Sequence, residues 1–531
     1  MKSIRPFAFF PPFILLIIAA IFSLVAGMQN EAHTVEVMSN MFNMALDKFG
    51  WLYASAALVI CLLTIYLACS RYGDIKFGGN DAKPEFTYWN WFAMTLCAGI
   101  AIGIVFWGVA EPIMQFQDPP KSFGIAPFSE AAARFSLAQI FLEWTFTPYA
   151  MYCVCGISCA YAFYNLKEPK TISSAFIPIF GDRVRGKGGE ILDAFIIFAL
   201  VGGVVTSLGE GVLQVASGLD SQFGIPSSRL SWGIISLIMV VIYTISSYTG
   251  INKGIRILSD INGKLFFFLL GFVMIVGPTI FNINIGLEAF ASYIETFFSR
   301  HLFLAPVSGD PFPRYWTLSF FAIWYAWAPV TGMFLARMAY GRTVREFVVM
   351  NMLLPAAFGA IWFTFFGGTA MHMEIVQKLG IAKILNDSGV EAAMFAFLNF
   401  LPLAKIMVPI FFVVIVLSFS TAADSMTSTV ALMCTKQDAV QEGEEAPAPI
   451  KLAWGILMGF IAWIVITFAK IDGLRMVVTL AAAPAALVVI LQAASSYIML
   501  KGHYKNEASE KAACATAKSS QVMEAPVNSA K

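Results

Sequence analysis

The stretch Phe321–Phe347, FAIWYAWAPVTGMFLARMAYGRTVREF, sets an aromatic cluster inside an apolar run and ends it in Arg337, Arg342 and Arg345. Aromatic faces in a site of low dielectric attract organic cations, each ring contributing about 0.5–2 kcal/mol. A second group of rings, Trp144, Tyr149 and Tyr152, falls together upstream. Glu111, Glu143, Glu210, Lys264 and Asp424 also lie inside apolar runs. An unpaired charge there costs at least about 2.5–3.5 kcal/mol at mid-membrane, so each is expected to have a partner or a function. The run Cys97–Pro112, CAGIAIGIVFWGVAEP, carries Gly99, Gly103 and Gly108. Small residues at that spacing fit close helix packing, or local unwinding that offers backbone groups to a ligand. Spacing alone leaves both open.

Other chemistry is sparse. The four histidines, His33, His301, His372 and His503, lie outside span centres, and there is no HExxH, Ser/His/Asp grouping or phosphate loop, which argues against an enzyme. Cys153, Cys155 and Cys159 sit in an apolar run where 153 and 155 diverge on a helix and no histidine supports them. They read as packing rather than metal ligands. No cofactor is expected, and a net charge of +1 gives no reason to expect a nucleic-acid partner.

The elements that position these residues are membrane spans. The chain is 58% apolar and 13% charged over 531 residues, far too little polar surface for a soluble domain of this size. Apolar runs of about 20 residues, the length that crosses a core of about 30 Å, lie near 7–28, 51–69, 90–113, 134–164, 191–217, 230–248, 259–284, 315–336, 347–371, 403–434, 452–469 and 474–499. Twelve all-α spans are therefore expected. The first, although preceded by Lys2 and Arg5, is long enough to be a retained helix rather than a signal peptide. Placing both termini in the cytoplasm collects most of the 34 basic residues on that side and leaves a minority outside, Arg300 and Arg475 among them. Thr34–Phe49 and Leu287–Phe303 alternate at helical spacing and are expected to lie along the interface. The loop Gln437–Ile450 is acidic, and the polar tail after Lys501 is expected to be disordered.

Several of these stretches together resemble the betaine/choline/carnitine transporter (BCCT) family. The likeness runs from about Phe10 to Met499 and rests on CAGIAIGIVFWGVAEP, EWTFTPYAMY, TSLGEGVLQ, TGINKGIRILSDIN, the Phe321–Phe347 segment and STAADS. It implies two N-terminal helices within 1–89, a five-helix repeat over 90–284, an interfacial linker over 285–314, an inverted repeat over 315–499 and a tail over 500–531. Alternating access around a central site, an inner-membrane location and a homotrimer are implied with it.

The resemblance also places the family's aromatic box for a trimethylammonium group on Trp144, Tyr149, Tyr152, Trp324 and Trp327, with Phe321 and Ile323 where members often carry further tryptophans. Gly99 and Gly103 are expected to border the substrate. Where sodium-coupled members have adjacent hydroxyls, this chain has Thr421 and Ala422, and the second sodium position keeps Thr206 but has Gly202 one turn earlier. Any sodium site at Thr421 would thus be weak. Glu111 and Asp424 follow the family pattern, whereas Glu143 and Glu210 depart from it. One of these two is expected either to titrate during transport or to balance a substrate with extra positive charge; the alternative is that Glu210 pairs with Lys264 or a backbone amide. Lys264 could also stand in for a missing sodium ion, although the family's arginine position corresponds to Asn262. The arginine-bearing loop is expected to contact headgroups or neighbouring loops.

The chain is therefore expected to be a secondary transporter, symporter or exchanger, of quaternary-ammonium or related methylated-onium compounds such as glycine betaine, carnitine or choline. Its partners would be that small molecule and the bilayer. The alternative is a proton- or sodium-coupled amine or amino-acid symporter on the same scaffold.

Overall fold

A computed structural model describes residues 4–99, 101–249, 254–436 and 446–523. Among these the chain is helical throughout, with two isolated bridges, Ile4 to Thr435 and Lys76 to Thr343, in place of any strand. Among the described residues ten helices are long and apolar enough to cross a membrane, eleven if one sharply bent pair counts as a single span. The segment expected as a span near 230–248 is apolar but short by that measure, over Arg229–Ile245.

Helix α1 (Pro6–Gln29) turns at Asn30 into α2 (Glu31–Cys69), the Asn30 side chain capping α2 by accepting from the His33 N–H at 3.0 Å. Thr34–Phe49, expected as a separate interfacial helix, is instead continuous with the second span. No proline interrupts it, and an intact hydrogen-bond ladder costs less than a break in an apolar environment. The later helices include α3 (Tyr88–Gly99), α4 (Ala101–Gln117), α5 (Glu130–Trp144), α6 (Phe146–Tyr164), α7 (Lys187–Phe223), α8 (Arg229–Thr249), α9 (Arg256–Val276), α10 (Thr279–Glu295), α11 (Phe297–His301), α12 (Ser319–Arg337), α13 (Leu354–Ile375), α14 (Ala404–Met433) and α15 (Ala448–Met523), with four shorter α-helical segments between them. The linker expected over Leu287–Phe303 is divided between α10 and α11. The tail expected to lack structure continues α15 as helix to Met523, in keeping with the helix propensity of its Ala, Lys and Glu residues. Most of the acidic loop, 437–445, lies outside the described residues, as do 250–253 of the TGINKGIRILSDIN stretch.

Two spans are broken where they reach the interior. α3 and α4 meet at a bend of 59°; Ile100, between them, lies outside the described residues. α5 and α6 are separated by Thr145 (φ −119°, ψ −117°), with Pro148 in the first turn of α6, where its missing N–H is tolerated. A π-helical turn over Arg314–Leu318 leads into α12. α12 lies against α6 and α15. A Cβ on Gly332 would fall 2.4 Å from the Cys155 Cβ and 2.7 Å from the Gly156 nitrogen, so only a glycine there lets α6 and α12 touch backbone to backbone. The arginine loop turns to its neighbours as expected: Arg345 donates to Asp74 and to the Ala68 and Ser70 carbonyls, and Arg342 to the Phe86 carbonyl.

Within α15 the chain breaks at Lys470 (φ 45°, ψ −135°), where the sequence places a loop between its last two spans. A side chain in that region stores roughly 1–3 kcal/mol of strain. Lys470→Gly is expected to raise the melting temperature of the detergent-solubilised protein; a fall would mean that the lysine side chain contributes more than its backbone costs.

Candidate functional site

Trp144 is the last residue of α5, and its Nε1 donates to Glu111 Oε2 on α4 at 2.7 Å. The Trp144 ring lies on the backbone of Gly103, where a Cβ would come within 2.7 Å of it. Trp324 on α12 donates its Nε1 to the Glu143 carbonyl at 2.7 Å. That carbonyl is among the last four of α5, which lack partners in their own helix, so the break at Thr145 supplies the acceptor. Trp107 on α4 donates Nε1 to Glu210 Oε1 on α7 at 2.9 Å. Three indole N–H groups are thus satisfied by acceptors on neighbouring helices.

The rings meet edge to face. Trp144 and Trp324 have centroids 5.2 Å apart at 84°, Trp144 and Phe320 5.4 Å at 64°, and Tyr152 and Trp324 6.1 Å at 81°. Between them is a cavity of about 40 Å³. Gly99, Gly103 and Trp107 line it from α3 and α4, Trp144 and Tyr152 from α5 and α6, Thr206 and Glu210 from α7, and Phe320, Ile323, Trp324 and Trp327 from α12. Trp327 packs on Gly203, where a Cβ would meet its ring at 2.8 Å. A larger open hollow of about 710 Å³ follows Phe298–Ser308 but carries no charged side chain.

The expected ring set is thus largely assembled, with two corrections. Tyr149 is buried beside Gly99 and Tyr152 but does not line the cavity. Phe321 points away and stacks on His301, centroids 5.8 Å apart, and its place is taken by Phe320. A helix turns about 100° per residue, so the face that carries Trp324 and Trp327 also carries 320 and 323 and excludes 321. That periodicity was the available signal for Phe320.

The ionisable residues divide. Glu111 and Glu143 are fully buried and joined by Gln115, whose Nε2 donates to Glu111 Oε1 and Glu143 Oε2 at 3.1 Å each. Glu143 Oε1 also accepts from Gln139 at 2.8 Å. Lys264 is excluded from this region: it is exposed and pairs with Asp260 one turn earlier at 2.7 Å, so neither a Glu210–Lys264 pair nor a buried substitute for sodium is formed. Thr206 directs its hydroxyl at the Gly202 and Leu474 carbonyls, and Thr421 at the Leu417 and Ser418 carbonyls of its own helix. Ala422 adds no oxygen beside it, so these side chains do not fit a closed set of sodium ligands. Asp424, one turn along α14, accepts from Ser428 at 3.3 Å; neither it nor Thr421 lines the cavity.

Besides Phe320, Trp107 in the cavity wall and Arg475 behind it were not expected at the site. Arg475, counted among outer-side basic residues, is 3% exposed and holds its guanidinium over Trp107, Tyr315, Trp316 and Phe320, 5.3, 4.3, 5.1 and 5.4 Å from their centroids. It donates to the Tyr315 carbonyl at 3.0 Å, while its Nε and Nη1 have no partner among the described residues. Arg300, from the same group, is likewise buried, over Phe135.

Residues 9–505 match the family model described as BCCT, betaine/carnitine/choline family transporter. The chain belongs to this family. It is 32% identical to a probable glycine betaine transporter of Desulfitobacterium hafniense (strain Y51), over 88% of this chain and 91% of that one. It is 33% identical to an ectoine/hydroxyectoine transporter of Virgibacillus pantothenticus over 89% and 92%, and 32% identical to a high-affinity choline transport protein of Escherichia coli (strain K12) over 85% and 66%. A solved sodium-coupled sialic acid symporter overlays with a TM-score of 0.41 at 12% identity, over 85% of this chain and 82% of that one, too loosely to carry an argument. The chain is thus a multi-pass membrane protein of a transporter family.

In this BCCT member Gly103 is what lets the α4 backbone reach the Trp144 ring. Gly103→Ala is expected to cost about 1–3 kcal/mol through the forced shift of that ring, measured as a lowered melting temperature in detergent. An unchanged melting temperature would show that the ring does not lie on this backbone.

Proposed function

We propose that the cavity between Trp144, Tyr152, Phe320, Trp324 and Trp327 binds the onium group of a quaternary-ammonium or related methylated compound, such as glycine betaine, carnitine or choline, and that the chain carries it by alternating access. The observation that carries this reading is the treatment of the indoles: with the Trp107, Trp144 and Trp324 N–H groups committed to protein acceptors, the rings offer the cavity their apolar surfaces. A permethylated ammonium donates no conventional hydrogen bond, so ring faces are its appropriate partners. At roughly 10–15 Å³ per water, about 40 Å³ holds about three waters. That is less than a trimethylammonium group with its side arm fills, which fits a conformation whose cavity widens when substrate enters. Tyr149 would act one layer behind the rings by supporting Tyr152.

The same proposal takes the twelve spans as two N-terminal helices followed by inverted repeats over 90–284 and 315–499, with both termini cytoplasmic in an inner membrane and three chains per assembly. The bend between α3 and α4 and the break at Thr145 support substrate entry at the first repeat. One observation favours a second reading. Glu210 lies in the cavity wall, and its carboxylate can accept from a cation with an N–H or O–H donor, so an amine-type or cyclic-amidinium substrate also fits; the ectoine/hydroxyectoine relative is consistent with this.

Counterflow into proteoliposomes preloaded in turn with betaine, carnitine, choline or ectoine tests both. Exchange of trimethylammonium compounds that falls tenfold or more in Trp324→Leu supports the onium reading. Exchange of ectoine alone would select the second, and exchange of none of the four would overturn both.

A further inference from the structure

We infer that Arg475 binds an anionic group of the substrate, so that the compounds this chain prefers are zwitterions, an onium joined to a carboxylate, over purely cationic ones such as choline. The inference rests on the reading that an onium group occupies the cavity beside Trp144, and it assigns the other end of the same molecule.

Arg475 is a buried cation short of acceptors. It is 3% exposed. Its Nη2 donates to the Tyr315 carbonyl at 3.0 Å, while Nε and Nη1 are buried without an acceptor among the described residues. Glu210, which also touches Trp107, gives its Oε1 to that indole N–H and forms no ion pair with Arg475. Arg300, equally buried, is different: its Nε reaches Thr296 at 2.6 Å, Nη1 Gln139 at 3.4 Å and Nη2 Ser292 at 3.3 Å. A guanidinium taken out of water with two donors open is costly, and an anion that accepts from them removes the cost. A carboxylate is a strong acceptor for this group, since both partners are charged.

The position fits the substrate's other end. The guanidinium lies over Trp107 and Phe320, 5.3 and 5.4 Å from their centroids, and these two rings line the cavity. They meet edge to face, centroids 6.1 Å apart at 75°. One layer of rings therefore separates Arg475 from the space beside Trp144, which Phe320 also touches. On its other side Arg475 is covered by Tyr315, 4.3 Å away and itself exposed. A cavity of about 40 Å³ must widen to hold an onium compound, and parting Trp107 from Phe320 both widens it and opens it towards Nε and Nη1. Until then the ring faces stand in for the anion by cation–π attraction.

The charges in the wall agree. Among the cavity-lining side chains Glu210 is the one carboxylate and none is a cation. An onium alone is therefore matched by rings and Glu210, and leaves Arg475 unanswered. A zwitterion answers both.

The test compares glycine betaine with its methyl ester, which keeps the onium and masks the carboxylate, by tryptophan fluorescence of the full-length protein in chloride-free methanesulfonate buffer. The ester is expected to bind wild-type protein at least about tenfold more weakly. In Arg475→Met the acid is expected to weaken until it matches the ester, whose own affinity changes less than about threefold, and Arg475→Lys is expected to restore part of the gap. Acid and ester binding wild-type protein equally, or weakening equally in Arg475→Met, would overturn the inference and leave the onium reading intact; the second result would make Arg475 a packing residue. Binding of both ligands that requires added chloride in wild-type protein and not in Arg475→Met would give the site to an inorganic anion, and would overturn it too. Wild-type protein that binds neither ligand would remove the onium reading and the inference with it. If neither variant folds, the wild-type comparison of acid and ester decides alone.

Discussion

A tryptophan buried in a membrane protein can lend its face to a ligand only if its N–H is satisfied elsewhere, and the centre of this chain is arranged around that requirement. Lipid offers no acceptor, so an indole edge left without one inside the protein is costly. Glu111, the Glu143 carbonyl and Glu210 provide them for Trp144, Trp324 and Trp107. Every one of these bonds crosses between helices. The same contacts that orient the rings therefore fix α4 against α5, α5 against α12, and α4 against α7. Buried carboxylates, expensive in isolation, are retained here as acceptors as well as charges.

The helix breaks belong to this arrangement. Ending α5 at Trp144 frees the carbonyl that Trp324 uses, and the bend beside Gly99 brings α3 and α4 to the cavity at an angle that a straight helix would not give. Glycines set how close the backbones come. Gly103 admits the Trp144 ring, Gly203 admits Trp327, and Gly332 lets α6 and α12 meet. Within the one glycine run Gly103 serves packing, and the bend between α3 and α4 lies beside Gly99.

Ring positions on a helix face were legible in the sequence because they repeat at three and four residues, and most spans because their apolar runs are long. The register error at Phe321 arose from following a motif rather than the turn of the helix, which selects Phe320. Lys264 was misplaced for a similar reason: Asp260 lies four residues earlier, a local pairing visible in the sequence. Arg475 was not legible at all. Its partners Tyr315, Trp316 and Phe320 lie some 160 residues away in the chain, and a basic residue near the end of an apolar run looks the same whether it faces water or a ring of aromatics. The continuity of α2 was equally hidden, since amphipathic spacing alone does not say whether a helix lies flat or extends a span.

The measurement that bears most directly on recognition of positive charge by the rings is competition between choline and its neutral carbon isostere, 3,3-dimethylbutan-1-ol, for labelled onium on the purified protein. The two have nearly the same shape and differ in charge. Attraction by several ring faces predicts that the isostere competes at least about tenfold more weakly. Equal competition would mean that the cavity selects shape and apolar surface alone, and would contradict the cation-binding role given to Trp144, Trp324 and Trp327.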